Sequence, residues 1–579
     1  MKKLTIPTGL LLAFVWLGAC KKSGDFLDKK TSTNLNEAST FSDSAKTMDF
    51  LTGIYADIGF SFNPDRWEAG GHAVVSNESE PLRYVGPQND VVIMVGGAIS
   101  PQTTDASKNV QILNNWLTPY RNIRRVNLFL SKVDASPLSP ALRSRVKGEA
   151  RFLRAWYYSI LLKYYGGVPL IGDKVYEPAD NIVLSRATYA DCVNYVTKEC
   201  DEAAALLPGK GEYPPGDYGR ITSGACLALK ARVLLYAASP LFNGGRPGVE
   251  GDLKSIVSYP DYSPERWNKA AEAAQRIISL GWYNLFEDNT TRAGYGFYKV
   301  FHMRAGNDEY ILPAMRAPGR DMEGYWLPPT RGGNYSSVPT QATVDMFDMK
   351  NGLPITDPAS GYSPAQPYKN RDPRFDNSIL YNGAPWFFSS TNKKDPINAT
   401  VNATDGWSTS RPATTSYYIR KMLYEDGGGN TERCWPLIRY VEILLGYAEA
   451  RNEYSGPSAE VYGMLTTVRK RAGITPGADN LYGLKASMSK EEMRKAIHHE
   501  RMIELMFEEH KLWDARRWLR GEELLQGMAQ GVKVTAKTGG FNYELFDIRM
   551  HVFRPNFYLF PIPEGEIARS PTLKQNPGW

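Results

Sequence analysis

The sequence contains little cysteine and no cysteine pattern that would build a disulfide or zinc scaffold. It has 5 cysteines among 579 residues, and no two of them form a Cys-x-x-Cys pair. Cys192 and Cys200 lie about 12 Å apart along a predicted helix, which is too far for a disulfide bond. We therefore interpret Cys192, Cys200, Cys226 and Cys434 as buried thiols.

Long apolar runs and blocks of charge are also absent. No segment after residue 20 has 18 uninterrupted apolar residues, so we predict no transmembrane helix. No run of five like charges occurs and the formal net charge is +6, so the chain carries no electrostatic signature of nucleic-acid binding. The Gly-x-x-x-x-Gly-Lys loop, and a Gly-x-Gly-x-x-Gly loop after a strand, are missing as well.

Two partial motifs do not indicate an enzyme. His499-Glu500 begins a His-Glu-x-x-His zinc motif, but Ile503 occupies the position of the second histidine. Residues 361–365 half match a nucleophile elbow and lack its final glycine. A carboxylate pair for glycoside hydrolysis has no fixed spacing in sequence, so it is neither indicated nor excluded. We predict no catalytic residue, no metal site and no cofactor.

The N-terminus has the order of charge and apolarity that is typical of a secretory signal. Two lysines precede an apolar run over residues 10–17, which is too short to span a bilayer. The residues LGAC at 17–20 then resemble the processing site of a bacterial lipoprotein signal. We predict a signal peptide over residues 1–19, lipidation of Cys20 and a polar tether over residues 20–40. The alternative is an ordinary secretory signal with an incidental cysteine.

Apolar residues that recur every three or four positions predict helices in the first and last parts of the chain. The clearest helix covers residues 140–165, with Ser139 as its cap, Pro140 at its first position and Gly166 after its end. Other helices are predicted at 220–238, 263–281, 437–452, 458–472 and 490–520, the last with a capping box. Helix pairs of roughly 30–40 residues indicate stacked α-hairpins of tetratricopeptide type.

The middle of the chain has a different character. Eight prolines at 313, 328, 329, 339, 354, 358, 364 and 367 preclude long helices there, while its many Trp and Tyr residues argue against disorder. We predict a mainly α protein, an α-α superhelix of tetratricopeptide-like helix pairs in a single domain over residues 41–579. Its helical frame covers about 41–282 and 436–579. A large irregular loop region with few short β-strands is predicted at about 283–435.

Several strings in the chain carry a resemblance to a known family. They are EARFLRAWYYSILLKYYGGVPL (149–170), GRITSGACLALKARVLLYAASPLF (219–242), PTQATVDMF (339–347), DPRF (372–375), PLIRYVEILLGYAEARNE (436–453), VRKRAGI (468–474), HERMIELMFEEHKLWDARRW (499–518) and FPIPEGEIARSPTLKQNPGW (560–579). With the lipoprotein signal, their order and spacing closely resemble the SusD/RagB family of Bacteroidetes surface lipoproteins. The resemblance spans nearly the whole chain. Ser570-Pro571 and Glu509 depart from the usual Asn-Pro and Gly.

The resemblance implies a protein that is not an enzyme and that faces the cell exterior from the outer membrane, held by a lipid anchor. Such a protein binds oligosaccharides, or peptides in some branches, and acts as the lid of a SusC-like TonB-dependent transporter. The resemblance also implies four tetratricopeptide-like helix pairs with a ligand site built on loops. Three functions stay open: a glycan-binding lid, a peptide-binding lid of a RagA-like transporter, and an extracellular glycoside hydrolase. The supply of tryptophan favours the first.

Loop aromatics next to polar side chains are the candidate ligand-binding residues. A flat apolar ring packs on the C–H face of a sugar, while amides, carboxylates and guanidinium groups bind its hydroxyls. Two stretches, 63–90 and 325–335, combine both kinds of side chain. The residues predicted to contact ligand are Trp67, Asn77, Glu78, Arg83, Tyr84, Tyr325, Trp326, Arg331, Asn334, Tyr335, Trp386 and Trp407.

Overall fold

The folded body extends into the end of the predicted tether. The computed structural model describes residues 37–60, 71–82, 90–103, 114–177, 179–245, 248–333, 337–388, 393–408, 413–425 and 432–579. The predicted signal peptide, Cys20 and most of the tether therefore lie outside the described residues. The described chain opens with a helix over Glu37–Phe41, in which Thr40 and Phe41 are buried. This helix belongs to the folded body.

Helices dominate the first part of the chain. They are α1 (Glu37–Phe41), α2 (Ser44–Tyr55), α3 (Gly71–Val75), α4 (Asp90–Val95), α5 (Asn114–Lys132), α6 (Pro140–Tyr165), α7 (Tyr189–Ala204), α8 (Ser223–Ala238), α9 (Leu253–Val257) and α10 (Glu265–Ser279). A short strand, β1 (Ser79–Pro81), lies among them. Helices α8 and α10 confirm the predictions at 220–238 and 263–281 to within a few residues.

The 26-residue helix α6 follows directly from its sequence. The Ser139 hydroxyl oxygen accepts a hydrogen bond from the Leu142 N–H at 3.3 Å, which satisfies one of the free amides of the first turn. Pro140 occupies the first helical position. Gly166 ends the helix with a φ of 78°, a backbone angle that glycine adopts without strain. The predicted helix over 140–165 is confirmed.

The elements between residues 283 and 435 are short. The helices are α11 (Tyr295–Lys299), α12 (Asp321–Trp326), α13 (Gln341–Asp345) and α14 (Pro373–Ser378), and the strands are β2 (Tyr310–Met315), β3 (Ser337–Pro339), β4 (Ile379–Leu380), β5 (Pro385–Phe388), β6 (Lys393–Pro396) and β7 (Tyr418–Ile419). They form antiparallel pairs, β1 with β3, β4 with β7, β5 with β6, and β2 with β8 (Cys434–Arg439). The predicted mainly α fold with few short strands in this region is confirmed.

The last part of the chain returns to helices and adds a hairpin that the sequence analysis missed. After β8 come α15 (Tyr440–Ser455), α16 (Ala459–Ala472), α17 (Lys490–Glu504), α18 (Lys511–Arg517), α19 (Gly521–Leu524), β9 (Gly527–Lys537), β10 (Gly540–His551) and α20 (Glu564–Arg569). Helices α15 and α16 match the predictions at 437–452 and 458–472. Strands β9 and β10 pair antiparallel over most of their length, within a segment predicted to be helical.

The prediction of one helix over residues 490–520 is wrong. The predicted capping box at the start of α17 is present. The helix nevertheless ends at Glu504, and beyond it Phe507 and Glu509 have φ angles of 60° and 64°, in the left-handed region. The Glu504 carbonyl accepts a hydrogen bond from the Lys421 ammonium at 2.9 Å. A distant cation thus takes a carbonyl that a continuing helix would have used.

The helices pack in series, as expected for a superhelix of helix pairs. Helix α5 packs on α6, α6 on α7, α7 on α8, α8 on α10, α10 on α15, and α15 on both α16 and α17. The irregular region is therefore an excursion between two helices, α10 and α15, that contact each other. The four cysteines at 192, 200, 226 and 434 are free and buried, as predicted.

A buried group of charges joins the irregular region to the helices. Glu504, which has no exposed surface, accepts hydrogen bonds from Arg439 at 2.9 Å and Arg374 at 3.0 Å, and also from Arg471. Burial alone would raise the pKa of Glu504, but the three guanidinium groups outweigh burial and lower it to about 2. We name this group the ionic cluster; it comprises Glu309, Asp372, Arg374, Lys421, Arg439, Arg469, Arg471, Glu500, Glu504 and Glu508.

The C-terminal segment is tied to the first half of the chain through Arg186. The buried guanidinium of Arg186 donates hydrogen bonds to the Asn576 side chain at 2.9 Å and to the Lys574 carbonyl at 2.8 Å. Trp579 stacks on Phe557 with ring centroids 5.4 Å apart. The last residues thus close the packing around the region between α6 and α7.

Candidate functional site

A cavity of about 580 Å³ lies where the helical frame meets the irregular region. We name it the loop-side cavity. Its volume falls in the range of small-molecule sites, about 300–1,000 Å³. Aromatic and polar side chains line it together, among them Tyr55, Phe60, Tyr218, Arg220, Arg316 and Trp435.

The frame side of this cavity is fixed by hydrogen bonds to one buried carboxylate. Tyr55, at the end of α2, donates to Glu149 Oε2 at 2.8 Å, and Arg220 Nη1 donates to the same oxygen at 2.9 Å. Burial raises the pKa of Glu149, and Arg220 opposes that rise. The wall is therefore already in place before any ligand arrives, which reduces the entropy lost on binding.

The irregular region supplies the opposite wall. Strand β2 brings Met315 and Arg316 to the cavity, and β8 brings Trp435. Arg316 pairs with Asp321 at the start of α12. The Arg316 side chain is about a quarter exposed and is one of the residues that line the cavity. One wall thus offers an aromatic ring and a hydrogen-bond donor side by side.

Tyr218 gives the cavity a neutral group that both donates and accepts hydrogen bonds. It is partly buried in the turn after Pro215–Asp217. Burial raises the pKa of Tyr218 to about 12, so its phenol stays protonated at neutral pH. A sugar hydroxyl needs partners of this kind, and the ring face provides apolar surface beside the phenol oxygen.

The cavity lacks the acid pair of a glycoside hydrolase among its described lining residues. Asp217 supplies the carboxylate found there. Burial alone would raise the pKa of Asp217, but hydrogen bonds from Arg145 and Arg220 outweigh it and hold that pKa below its ordinary value. A carboxyl group held ionised in this way is a poor general acid, and glycoside hydrolysis uses two carboxyl groups.

Two of the predicted ligand residues, Tyr325 and Trp326, are not among the residues that line the cavity, and Trp326 lies behind one that is. Trp326 is only 3% exposed and its ring centroid lies 6.3 Å from that of Trp435. Tyr325 is partly buried. Trp326 therefore supports a lining residue from behind, and its predicted contact with ligand stays a prediction.

Arg331, Trp386 and Trp407 differ in accessibility. Arg331 is buried and binds Asp405 through two hydrogen bonds of 3.0 and 2.7 Å. Trp386 is 3% exposed. Trp407 is partly exposed, with the Lys533 ammonium 4.9 Å from its ring centroid. Of these three, Trp407 is the one whose ring reaches the surface.

Asn77 and Glu78 take part in packing between distant segments. Buried Glu78 accepts hydrogen bonds from the Ser76 hydroxyl at 2.8 Å and from the Phe507 N–H at 3.3 Å. Burial raises the pKa of Glu78. The Asn77 carbonyl accepts a hydrogen bond from the Thr340 hydroxyl at 3.3 Å. Both residues hold β1 against the start of α13.

The remaining predicted ligand residues lie outside the described residues; they are Trp67, Arg83, Tyr84, Asn334 and Tyr335. Their described neighbours do meet. Pro81 pairs with Ser337 in the antiparallel β1–β3 ladder, and the Thr414 N–H donates to the Leu82 carbonyl at 3.1 Å. Because the strands are antiparallel, Pro81 at the end of β1 and Ser337 at the start of β3 lie at the same end of the ladder.

Comparison with known proteins assigns the fold and the family. The model of the SusD family matches residues 287–579, more than half of the chain. The chain belongs to the SusD family. A second family model, described as starch-binding and associating with the outer membrane, matches residues 25–235. The resemblance inferred from the sequence strings is confirmed.

Individual SusD-family relatives agree with this assignment over different lengths. The SusD-like protein P25 of Formosa agariphila is 21% identical over 98% of both chains. The SusD-like protein P2 of the same organism is 29% identical over 29% of this chain and 30% of the relative. A crystal structure of a SusD-like protein from Bacteroides fragilis, 25% identical, covers 93% of this chain and 98% of that chain with a TM-score of 0.73. A laminarin binding SusD-like protein, 18% identical, covers 93% and 100% with a TM-score of 0.57.

In this SusD-family chain the sequence analysis missed the described residues that line the cavity. The missed residues are Tyr55, Phe60, Tyr218, Arg220, Arg316 and Trp435. A signal existed for Tyr218, which follows the turn residues Pro-Pro-Gly-Asp between two predicted helices. The other lining residues come together only through long-range packing.

Two general features complete the description. Within the described ranges, no group of three or more His, Cys, Asp or Glu side chains is arranged to hold a metal ion. None of the described helices has the length and apolarity that a membrane crossing requires.

Proposed function

We propose that this SusD-family protein binds oligosaccharides in the loop-side cavity without chemical turnover. The observation that carries the proposal is the pairing, in one preformed cavity, of aromatic surface with the neutral phenol of Tyr218 and the guanidinium of Arg316. This combination fits a ligand with apolar C–H faces and many hydroxyls. The starch-binding description of one family model and the laminarin-binding relative favour the same ligand class.

Delivery and anchoring complete the proposal. The protein acts as the lid of a SusC-like TonB-dependent transporter, on the outside of the outer membrane, held by acyl chains on Cys20. A tether places the binding site at a high effective concentration beside the transporter. A Cys20→Ala protein should bind ligand in solution like the unaltered protein and fail to support uptake by cells, and loss of binding in solution would contradict the anchoring role.

The ligand site is tested by titration of the soluble chain, from residue 21 on, with maltoheptaose and laminarihexaose in a calorimeter. Tyr218→Ala should weaken binding at least tenfold, equivalent to about 1.4 kcal/mol, because the ring surface and the phenol are both lost. Tyr454→Ala is the matched control, since Tyr454 is a 40% exposed tyrosine of α15 outside the cavity lining.

Three outcomes would contradict the proposal. Unchanged affinity in Tyr218→Ala would remove this cavity from the ligand site. Release of reducing ends from either sugar during long incubation would show hydrolysis. Binding of a peptide mixture with no binding of any glycan on an array would favour the peptide-binding lid instead.

A further inference from the structure

A second and larger cavity lies on the helical frame, away from the irregular region. It has a volume of about 710 Å³, and we name it the frame cavity. The C-terminal end of α8 reaches it at Ala238, whereas Gly219 and Arg220, just before the start of α8, line the loop-side cavity. A 16-residue helix is about 24 Å long. The two cavities are thus at opposite ends of one helix.

We propose that the frame cavity is a second carbohydrate-binding site, for neutral glycan chains. The ligand class rests on the proposed function, but the residues do not, because the two cavities share no lining residue. Three features carry the proposal: an exposed aromatic ring on a fixed backbone, a rigid aromatic floor, and a rim whose charges balance.

The exposed ring is that of Tyr262, which is 60% accessible. Its backbone is held by the neighbouring Asn243 side chain, whose Oδ1 accepts hydrogen bonds from the Ser263 N–H at 2.9 Å and from Arg266 Nη1 at 2.6 Å. Asn243 is itself buried and donates to the Ala238 carbonyl at 3.1 Å. The protein therefore holds a large apolar face at the cavity mouth, where a ligand can cover it with little loss of conformational entropy.

The floor of the frame cavity is aromatic and rigid. Trp518 stacks on His498 with ring centroids 3.6 Å apart and an angle of 12°. The Trp518 indole N–H donates to Glu449 at 2.8 Å, and Glu449 also binds Arg517. Burial lowers the pKa of His498, so its ring is neutral at neutral pH. The two stacked rings thus present flat, neutral surface, and the Glu449 carboxylate beside them is paired with Arg517.

The rim carries three positive and three negative side chains, which makes it rich in hydrogen-bonding groups without a net field. Arg494 donates to Glu453 at 2.7 Å, and Arg520 donates to Glu523 at 2.7 Å. An anionic or cationic ligand would gain little from such a rim, whereas sugar hydroxyls can both donate to its carboxylates and accept from its cations. The six rim residues are Glu453, Glu491, Arg494, Lys495, Arg520 and Glu523.

With two sites on one molecule, the apparent affinity for a glycan depends on the length of the glycan chain. A glycan long enough to reach both cavities binds the second one at high effective concentration, so its apparent affinity exceeds that of a short glycan. The frame cavity would then hold a polysaccharide at the surface while the loop-side cavity engages one end of it.

The experiment compares the unaltered soluble chain with Tyr262→Ala, Tyr262→Phe and the control Tyr454→Ala. Each is titrated with maltoheptaose, laminarihexaose, soluble starch and laminarin. We expect two sites for a short glycan in the unaltered protein and one in Tyr262→Ala, together with at least a tenfold loss of affinity for the matching polymer. Tyr262→Phe, which keeps the ring, should stay within about threefold of the unaltered protein, and Tyr454→Ala should not change.

The outcomes separate this inference from the proposed function. A single site that Tyr218→Ala removes and Tyr262→Ala leaves intact overturns the frame site and preserves the loop-side site. A single site with the opposite response overturns the loop-side assignment and supports the frame site. Absence of binding to all four glycans, or binding of a peptide mixture in the frame cavity instead, overturns the inference. Since Tyr262 is exposed, its replacement leaves the core untouched, and a thermal melt checks this.

Discussion

The helical frame and the irregular region solve the same problem, the satisfaction of buried backbone carbonyls, in different ways. In helices such as α6 and α8, a carbonyl accepts a hydrogen bond from the N–H four residues later in the same helix. The irregular region has few backbone hydrogen bonds of this kind, and buried arginine and lysine side chains donate to its carbonyls instead. Arg371 donates to the carbonyls of Val344 at 2.8 Å, Phe347 at 2.7 Å and Pro367 at 2.8 Å.

Other buried cations repeat this arrangement. Arg420 donates to the Asp376 carbonyl at 2.8 Å, and Arg433 donates to the Met422 carbonyl at 2.7 Å. Lys421 donates to the carbonyl of Glu504, the last residue of α17, and to the carbonyl of Met506. A buried carbonyl without a partner costs free energy comparable to a lost hydrogen bond. The irregular region can therefore fold with short elements, because its arginines and lysines donate the hydrogen bonds that longer helices and strands would supply.

The largest effect is expected where the two regions join, at Glu504 of the ionic cluster. Glu504→Ala should lower the free energy of unfolding by about 3–5 kcal/mol, because it leaves three buried guanidinium groups short of a partner. Denaturant titration measures this loss. Glu272→Ala, an exposed glutamate of α10, is the matched control and should change stability by less than about 0.5 kcal/mol.

The same carboxylate gives a signed pH dependence. The folded-state pKa of Glu504, about 2, lies below its ordinary value of 4.5. Its contribution to stability is therefore present above pH 4.5 and is lost as the pH falls towards 2. A Glu504→Ala protein that matched the unaltered protein in stability at pH 7 would show that the ionic cluster does not hold the two regions together.

A somewhat smaller effect should follow replacement of Arg371 inside the irregular region. Arg371→Met keeps much of the side-chain volume and removes the donors to three carbonyls, so we expect a loss of roughly 3 kcal/mol in the free energy of unfolding. Arg276→Met, at an exposed position of α10, should cost less than about 0.5 kcal/mol. Equal losses of stability in Arg371→Met and Arg276→Met would contradict the idea that buried cations stabilise the irregular region through its carbonyls.

The smallest effect concerns His302, a neutral donor in the irregular region. Its Nδ1–H donates to the Tyr298 carbonyl at 2.9 Å, and burial lowers the pKa of His302 to about 4. Because the folded-state pKa is below the ordinary 6.5, stability is fully present above pH 6.5 and falls by up to about 3 kcal/mol as the pH drops through 6.5 to 4. Urea titrations at pH 7 and pH 4.5 measure this fall.

His302→Gln should reduce the fall in the free energy of unfolding between pH 7 and pH 4.5, because one fewer side chain takes up a proton on unfolding. Part of the dependence should remain, since the pKa values of His498 and His510 are also lowered by burial. An unchanged fall in stability between pH 7 and pH 4.5 would show that His302 titrates alike in the folded and unfolded states.

Local signals predicted the frame well because they act over a few residues. Ser139, Pro140 and Gly166 fix both ends of α6 without help from distant parts of the chain. The helix predicted over 490–520 was wrong because Lys421, some 80 residues earlier, donates hydrogen bonds to the carbonyls of Glu504, at the end of α17, and of Met506. No local pattern reports that contact. The β9–β10 hairpin, by contrast, had a local signal in the adjacent glycines Gly539 and Gly540, the second of which begins β10, and the assignment of this segment to the helical frame overlooked it.

The candidate site was harder to predict because composition does not report burial. Trp326 and Trp386 are nearly inaccessible, whereas Tyr218 and Tyr262 line cavities. All four are aromatic residues near prolines or glycines, so the sequence alone gives no basis to rank them. The mainly α fold and the family, in contrast, could be predicted from the sequence strings, whose residues lie largely in the ionic cluster and in the contacts between helices.

The contact between Arg186 and Asn576 has a consequence for the order of folding during synthesis. Arg186 emerges from the ribosome 390 positions before its partner, a delay of roughly 20–80 s at about 5–20 residues per second. During that interval the region between α6 and α7 cannot complete its packing. The first half of the chain therefore lacks these closing contacts until the residues around Asn576 have been made.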